Sequence, residues 1–280
     1  MLRILAVGNE NEMKTIVPRT MTIAGSDSGC GAGVQADLKT FAALQVYGTS
    51  VLTAVTSQNT LGVTDVMELP PSLIASQIDA ILSDIGTDAV KTGMLSSSAI
   101  IDTVAEKIRE HRLTTLVVDP VMIAKGGEQL IQEDAVSTLR STLLPLAQVV
   151  TPNAPEAAVL TGHEVRTLDD ARDAAREIVG MGARAVVVKG GHIEGPATDI
   201  LYDGKDFRLF TTQRIETTSL HGTGCTFASA IAVGLAKGLT VREALAHAKS
   251  YVTASIRQAF PMGNGHGPLN HFHMMWEDNQ

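Results

Sequence analysis

The chain has 280 residues, 44% hydrophobic and 19% charged, with a formal net charge of −8. That is enough chain for a substantial core within a single α/β domain, and the composition excludes a disordered tract. The negative balance, with no Lys/Arg-rich stripe, argues against a nucleic-acid backbone or an anionic membrane as partner. Two cysteines, Cys30 and Cys225, are too sparse for a disulfide framework or zinc site, which fits a reducing cytoplasm. The short apolar run at 2–7 is followed at once by Asn9, Glu10, Asn11 and Glu12, too acidic for a signal peptide, and no stretch is long enough to span a bilayer. Residues 1–19 are therefore set apart as an N-terminal extension, with Met13 and Met21 as further candidate starts, and 20–280 are read as one domain.

In chain order, the β-branched runs 21–24, 49–56, 89–91, 116–119, 149–151 and 185–189 read as strands buried on both faces. Helical patterns follow most of them, at 34–45, 71–83, 97–111, 133–143, 155–160 and 168–181. Alternation of this kind predicts a parallel sheet covered by helices. The segments 198–202 and 207–212, joined by Asp203-Gly204-Lys205-Asp206, read as an antiparallel hairpin at the edge. In open sheets of this kind ligands bind beyond the carboxyl ends of the strands, so the loops there carry the chemistry.

The most informative loop is His221-Gly-Thr-Gly-Cys-Thr-Phe227, which opens a small-residue helix at 228–236. Gly222, Thr223 and Gly224 let successive N–H groups converge, and the first helical turn adds unpaired donors and partial positive charge, which suits a phosphate. In that field the Cys225 thiol is expected to ionise more readily, making it a candidate general base; the plain alternative is a small buried cysteine beside close-packing glycines. A second glycine-rich loop, Gly25-Ser-Asp-Ser-Gly-Cys-Gly-Ala-Gly33, lacks a dinucleotide fingerprint. It fits close backbone approach to a small ligand, with Asp37 one turn into the next helix facing it, or simply favoured there by the helix dipole. In Thr151-Pro-Asn-Ala-Pro-Glu156, Asn153 and Glu156 either hold Mg²⁺ through water beside a nucleotide or form a helix cap. Asp119 and Lys189 each end a strand, where a metal-linked carboxylate and a phosphate-neutralising ammonium would be expected.

Taken together, 24–39, 54–60, 91–95, 119–127, 151–157, 189–192 and 221–226 resemble the hydroxymethylpyrimidine/phosphomethylpyrimidine kinases of the ribokinase-like superfamily. The resemblance runs from about residue 20 to the Gly-His-Gly-Pro and His-Phe-His elements at 265–273, where it accounts for His266, His271 and His273 without a metal. It implies an α/β fold of three layers, a mostly parallel central sheet flanked by helices with a small antiparallel edge hairpin. It further implies a cytoplasmic, homodimeric enzyme using Mg-ATP to phosphorylate 4-amino-5-hydroxymethyl-2-methylpyrimidine, and then its monophosphate, in thiamine biosynthesis. By that resemblance the Gly-Thr-Gly-Cys coil is an anion hole with Cys225 as base. Gly25, Ala32, Asp37, Gln58, Met94 and Val121 line the pyrimidine pocket; Asn153, Glu156, Asp119 and Lys189 lie on the Mg-ATP side, with Asp119 and Glu156 the metal-linked carboxylates. The resemblance also implies that Lys125-Gly-Gly127 belongs to a loop that can close over the site. Ser28, Gly29 and Cys30 depart from the family's usual Pro, Ser and Gly, and Cys30 is expected to narrow the pocket or be redox-sensitive. Competing readings are a pyridoxal/pyridoxine kinase, a non-catalytic pyrimidine-binding regulator and a nicotinamide oxidoreductase.

Overall fold

The computed structural model describes residues 17–122 and 130–276. Residues 1–16 of the N-terminal extension and the Lys125-Gly-Gly127 loop lie outside them. The main sheet has eight strands in the order β10-β9-β8-β7-β6-β5-β1-β2. They are β1 (Arg19–Ala24), β2 (Tyr47–Leu52), β5 (Ala89–Thr92), β6 (Leu116–Val118), β7 (Val149–Val150), β8 (Val186–Val188), β9 (Ala197–Tyr202) and β10 (Phe207–Thr212). Pairing is parallel from β2 to β8, and β9 runs antiparallel to both β8 and β10. The hairpin therefore sits at the sheet edge, as its Asp-Gly turn indicated.

Period-two side-chain alternation divides the valines between two apolar layers. Leu116, Val118, Val150, Val186 and Val188 pack on the Ile74, Ile78, Ile100, Ile101 and Ile108 side. Val117, Val149 and Val187 face Phe227, Ile231, Leu245 and Val252. The first layer is supplied by α2 (Pro71–Asp84), α3 (Ser98–Glu110), α5 (Ala154–Thr161) and α6 (Leu168–Gly180); the second by α1 (Gly33–Ala43), α7 (Thr223–Ala236) and α8 (Val241–Arg257). Helix α7 is buried from Thr226 to Leu235, which requires its small residues; a β-carbon on Gly234 would lie 2.6 Å from that of Ala244 on α8.

Three expectations are corrected. β1 begins at Arg19, whose side chain bonds Asp88. The run 49–56 is two strands rather than one, because Thr53 turns the chain, its N–H on Ala24 O and its hydroxyl on Met94 O. Beyond it, β3 (Ala54–Gln58) pairs with β4 (Val63–Glu68) in a separate antiparallel ribbon. The helix expected at 133–143 is α4 (Glu133–Thr138), then a π turn over Leu139–Leu143 and a 3₁₀ turn over Leu144–Leu146 that accommodates Pro145 and buries Leu139, Leu143 and Leu144. No helix among the described residues is long and apolar enough to cross a membrane.

Candidate active site

The loops after β1, β5, β6, β7 and β8 converge with the end of β3 and the start of α7 on one cavity of about 610 Å³. Gly25, Ala32, Gln58, Met94, Val121, Asp119, Asn153, Glu156, Lys189, Gly222, Thr223, Gly224 and Cys225 all line it. Asp37 does not. Its carboxylate is fully buried and taken up by Lys91 Nζ at 2.9 and 3.0 Å, Thr22 Oγ1 at 2.6 Å and Ser229 Oγ at 2.6 Å. One turn into a helix, the side chain points back to the sheet, so its place is under the cavity rather than in it.

Gly222 caps α7 with φ +82°, and a β-carbon there would lie 1.8 Å from Gly31 O. Glycine thus permits both the left-handed turn and the contact that presses the two glycine-rich loops together. Thr223 N–H turns to Leu220 O, and Thr226 N–H begins the helical ladder on Gly222 O. The N–H groups of Gly224 and Cys225 find no acceptor among the described residues and are the donors left for an anion. Gly224 lies directly under a charged pair: a β-carbon on it would be 3.3 Å from Lys189 Nζ and 3.6 Å from Asp119 Oδ2.

The expected ease of Cys225 ionisation is corrected. Burial pushes the thiol up to about 11; Lys91 and the Gly33 N–H oppose this, while Asp37 and Asp119 reinforce it. Desolvation outweighs the helix terminus, and the resting side chain is a thiol. Cys30, expected to narrow the pocket, does not line it: its sulfur faces Ser28 O at 3.7 Å, and its φ of +61° is the left-handed conformation that suits the glycine usual there.

Asn153 and Glu156 form the complete capping box that local sequence favoured, each side chain bonding the other's backbone N–H at 2.8 Å. Glu156 also lines the cavity, 3.8 Å from Lys189 Nζ, while Asp119 Oδ1 accepts from that ammonium at 2.9 Å. Two carboxylates thus share one ammonium. Burial, countered by Lys189 and helped by Asp119, pushes the Glu156 carboxyl up to about 7. The surplus negative charge and oxygen donors fit a divalent cation held through water. Between the usual carboxylate range and pH 7 the folded chain keeps a proton that the unfolded chain has lost, so the ligand-free protein should lose stability as pH rises across that window. By the same linkage, a divalent cation that needs the Glu156 carboxylate should bind about tenfold more tightly at pH 8 than at pH 6. Half-activating concentrations of the divalent cation at both pH values check this, and Glu156→Gln should flatten the dependence.

Several lining residues escaped sequence reasoning. Asp27 and His221 bond across the two glycine-rich loops at 2.8 Å. Arg214 donates to the carbonyls of Gly191, Ile193 and Gly195, and Lys249 on α8 pairs with Asp199 at 2.8 Å. Helix α8 itself was announced by a capping box, Thr240 with Glu243.

The phosphomethylpyrimidine kinase family model matches residues 27–270. The hydroxymethylpyrimidine/phosphomethylpyrimidine kinase of Bacillus subtilis is 48% identical over 256 residues, 91% of this chain and 94% of that protein. The thiamine biosynthesis bifunctional protein of Geobacter sulfurreducens is 55% identical over 252 residues, 90% of this chain but only 51% of that longer protein. Among solved structures, the ADP complex of Bacillus subtilis pyridoxal kinase superposes with a TM-score of 0.87 at 40% identity, covering 94% of this chain and 100% of that one. The fold is ribokinase-like. With a model matched from residue 27 to residue 270 and relatives about half identical over nine-tenths of its length, this chain belongs to the phosphomethylpyrimidine kinase family.

Proposed function

We propose that the chain transfers the γ-phosphoryl group of ATP to the hydroxymethyl group of 4-amino-5-hydroxymethyl-2-methylpyrimidine, and then a second phosphoryl group to the monophosphate, as a cytoplasmic step of thiamine biosynthesis. The observation that carries this is the continuity of one cavity: Gln58 lines it 3.3 Å from His221, and the residues that follow His221 are the phosphate coil beneath Lys189 and Asp119. Residues 20–280 act as one catalytic unit, with Gln58, Met94 and Val121 on the pyrimidine side.

In the first transfer the thiolate form of Cys225 accepts the alcohol proton as the new P–O bond forms and the bond from the γ-phosphorus to the departing ADP oxygen breaks, and the N–H groups of Gly224 and Cys225 stabilise charge on the phosphoryl oxygens. Lys189 neutralises phosphate, and Asp119 and Glu156 hold Mg²⁺, which when bound offsets the charge of the nucleotide phosphates. A homodimer would cover Val55, Val66 and Met67, which the β3–β4 ribbon leaves exposed.

The likeness to a pyridoxal kinase supports a second reading, pyridoxal as substrate, because that ring also carries a CH₂OH beside a polar edge. Coupled assays of ADP release with the pyrimidine alcohol, its monophosphate and pyridoxal separate the two. Turnover on both pyrimidines with kcat/KM at least about tenfold above pyridoxal is expected; a preference for pyridoxal would reverse the assignment.

A further inference from the structure

Beneath the phosphate coil lies a buried charge pair that does not itself line the cavity. Lys91, on β5, and Asp37, on α1, are both fully buried, and the ammonium donates to the two carboxylate oxygens at 2.9 and 3.0 Å. An ammonium has three hydrogens, and the third finds no acceptor among the described residues. A β-carbon on Gly93 would lie 2.8 Å from Lys91 Nζ and 2.9 Å from the β-carbon of Ala24, which lines the cavity. The positive charge therefore sits at the carboxyl ends of β1 and β5, just below the cavity floor.

Two helices connect this pair to the sulfur above it. On α1 Gly33 stands one turn before Asp37, and on α7 Cys225 stands one turn before Ser229, so the members of each couple share a helix face. At the lower level Ser229 Oγ donates to Asp37 Oδ1 at 2.6 Å. At the upper level the Gly33 N–H bonds the Cys225 sulfur. The sulfur thus stands one helical pitch, ~5 Å, above the carboxylate and its ammonium. From that distance Lys91 favours the thiolate, and Asp37 opposes it less strongly. The other charges facing Cys225 come from the loops after β6 and β8: Asp119, which opposes ionisation, and Lys189, whose ammonium a thiolate would favour.

We propose that Lys91 is a positioning residue for the first phosphoryl transfer, its ammonium serving as the buried counter-charge of the Cys225 thiolate. The inference rests on the two-step pyrimidine reading above and deepens it. Asp37 keeps the lysine charged while Cys225 is a thiol. When the thiol loses its proton to water, the ammonium holds the sulfur anion with the N–H that Asp37 leaves unused. The thiolate then takes the alcohol proton and becomes a thiol again, and Lys91 keeps its own hydrogens throughout. The monophosphate is already ionised and needs no proton acceptor, so Lys91 bears on one transfer and not on the other.

The test is the ratio of the first transfer rate to the second, at saturating Mg-ATP and one pH near neutrality, in variants whose folding is verified by thermal melting. A pair that only held the fold together would respond alike when broken from either side. Lys91→Met leaves the Asp37 carboxylate beneath the sulfur and should cut the ratio about tenfold or more. Asp37→Asn leaves the ammonium with Cys225 as the next anion to it, and should raise the ratio about threefold or more. The double variant Lys91→Met, Asp37→Asn strands no charge; its ratio should lie between those of Lys91→Met and the wild type, and it decides the matter if a single variant fails to fold. Shifts of the same sign in the two single variants, or a double variant with the wild-type ratio, would overturn the proposal. A wild type that phosphorylates neither the alcohol nor its monophosphate would instead overturn the pyrimidine assignment, and this inference with it.

Discussion

Replacing Cys225 by alanine should slow the first phosphorylation by about 10²–10⁴ while leaving the second within about tenfold of wild type. The difference arises because the first nucleophile is an alcohol that must lose a proton, whereas the second is a phosphate that is already ionised. Everything else in the cavity serves both steps: the Gly224 and Cys225 N–H groups remain in the variant, as does the Lys189–Asp119 pair above them. The thiol's position near 11 adds a sign to the prediction. Well below that value the thiolate fraction grows about tenfold per pH unit, so the first step should quicken with pH between 7 and 9 in the wild type and not in Cys225→Ala. Initial rates on the two substrates at saturating Mg-ATP, across that range, check both statements. Equal losses in the two steps would remove the proton-acceptor role.

Lys91→Met should destabilise the protein by about 3–5 kcal/mol, among the largest effects of any single substitution. Lys91 and Asp37 are both fully buried, and the ammonium reaches both carboxylate oxygens. Burial works against the charge on Lys91, yet Asp37, Cys225 and Asp119 hold its pKa above the usual lysine value. Methionine fills the space and leaves Asp37 charged, with only the Thr22 and Ser229 hydroxyls for partners. Adding Asp37→Asn removes the stranded charge and keeps an acceptor for those hydroxyls, so the double variant should recover most of the loss. Urea unfolding of the two single variants and the double gives the coupling. Simple additivity would show that the pair is not the unit it looks.

The parts of the fold that were legible in the sequence are those where one local rule decides the outcome. Val149–Val150 and Val186–Val188 are strands because β-branched residues buried on both faces fit a central parallel sheet, and Asp203-Gly204 turns the edge hairpin. The β4 strand was missed because Val63–Glu68 is exposed along almost its whole length, so no apolar alternation marks it. The break at Thr53 depends on carbonyls of Ala24 and Met94, the latter 41 residues along the chain.

In the site, glycine spacing pointed to the coil and its anchor at Gly222, since φ +82° and the contact with Gly31 leave no room for a side chain. Charge states were less legible. A helix N-terminus read alone favours a thiolate at Cys225, but burial depends on what the rest of the chain packs around it. Asp37 misled for a related reason: its helical position allowed it to face a ligand, and only the fold shows Lys91 waiting beneath it. Asp27 and His221 lie 194 residues apart, and no spacing rule brings them together.

The central claim is that one cavity passes two phosphoryl groups in succession to a single pyrimidine. The stoichiometry of the completed reaction, ADP formed per molecule of 4-amino-5-hydroxymethyl-2-methylpyrimidine consumed with ATP in excess, tests it directly. Two ADP per alcohol, with the diphosphate as sole final product, is the expected result. One ADP per alcohol with the monophosphate accumulating, or no ADP at all, would contradict it.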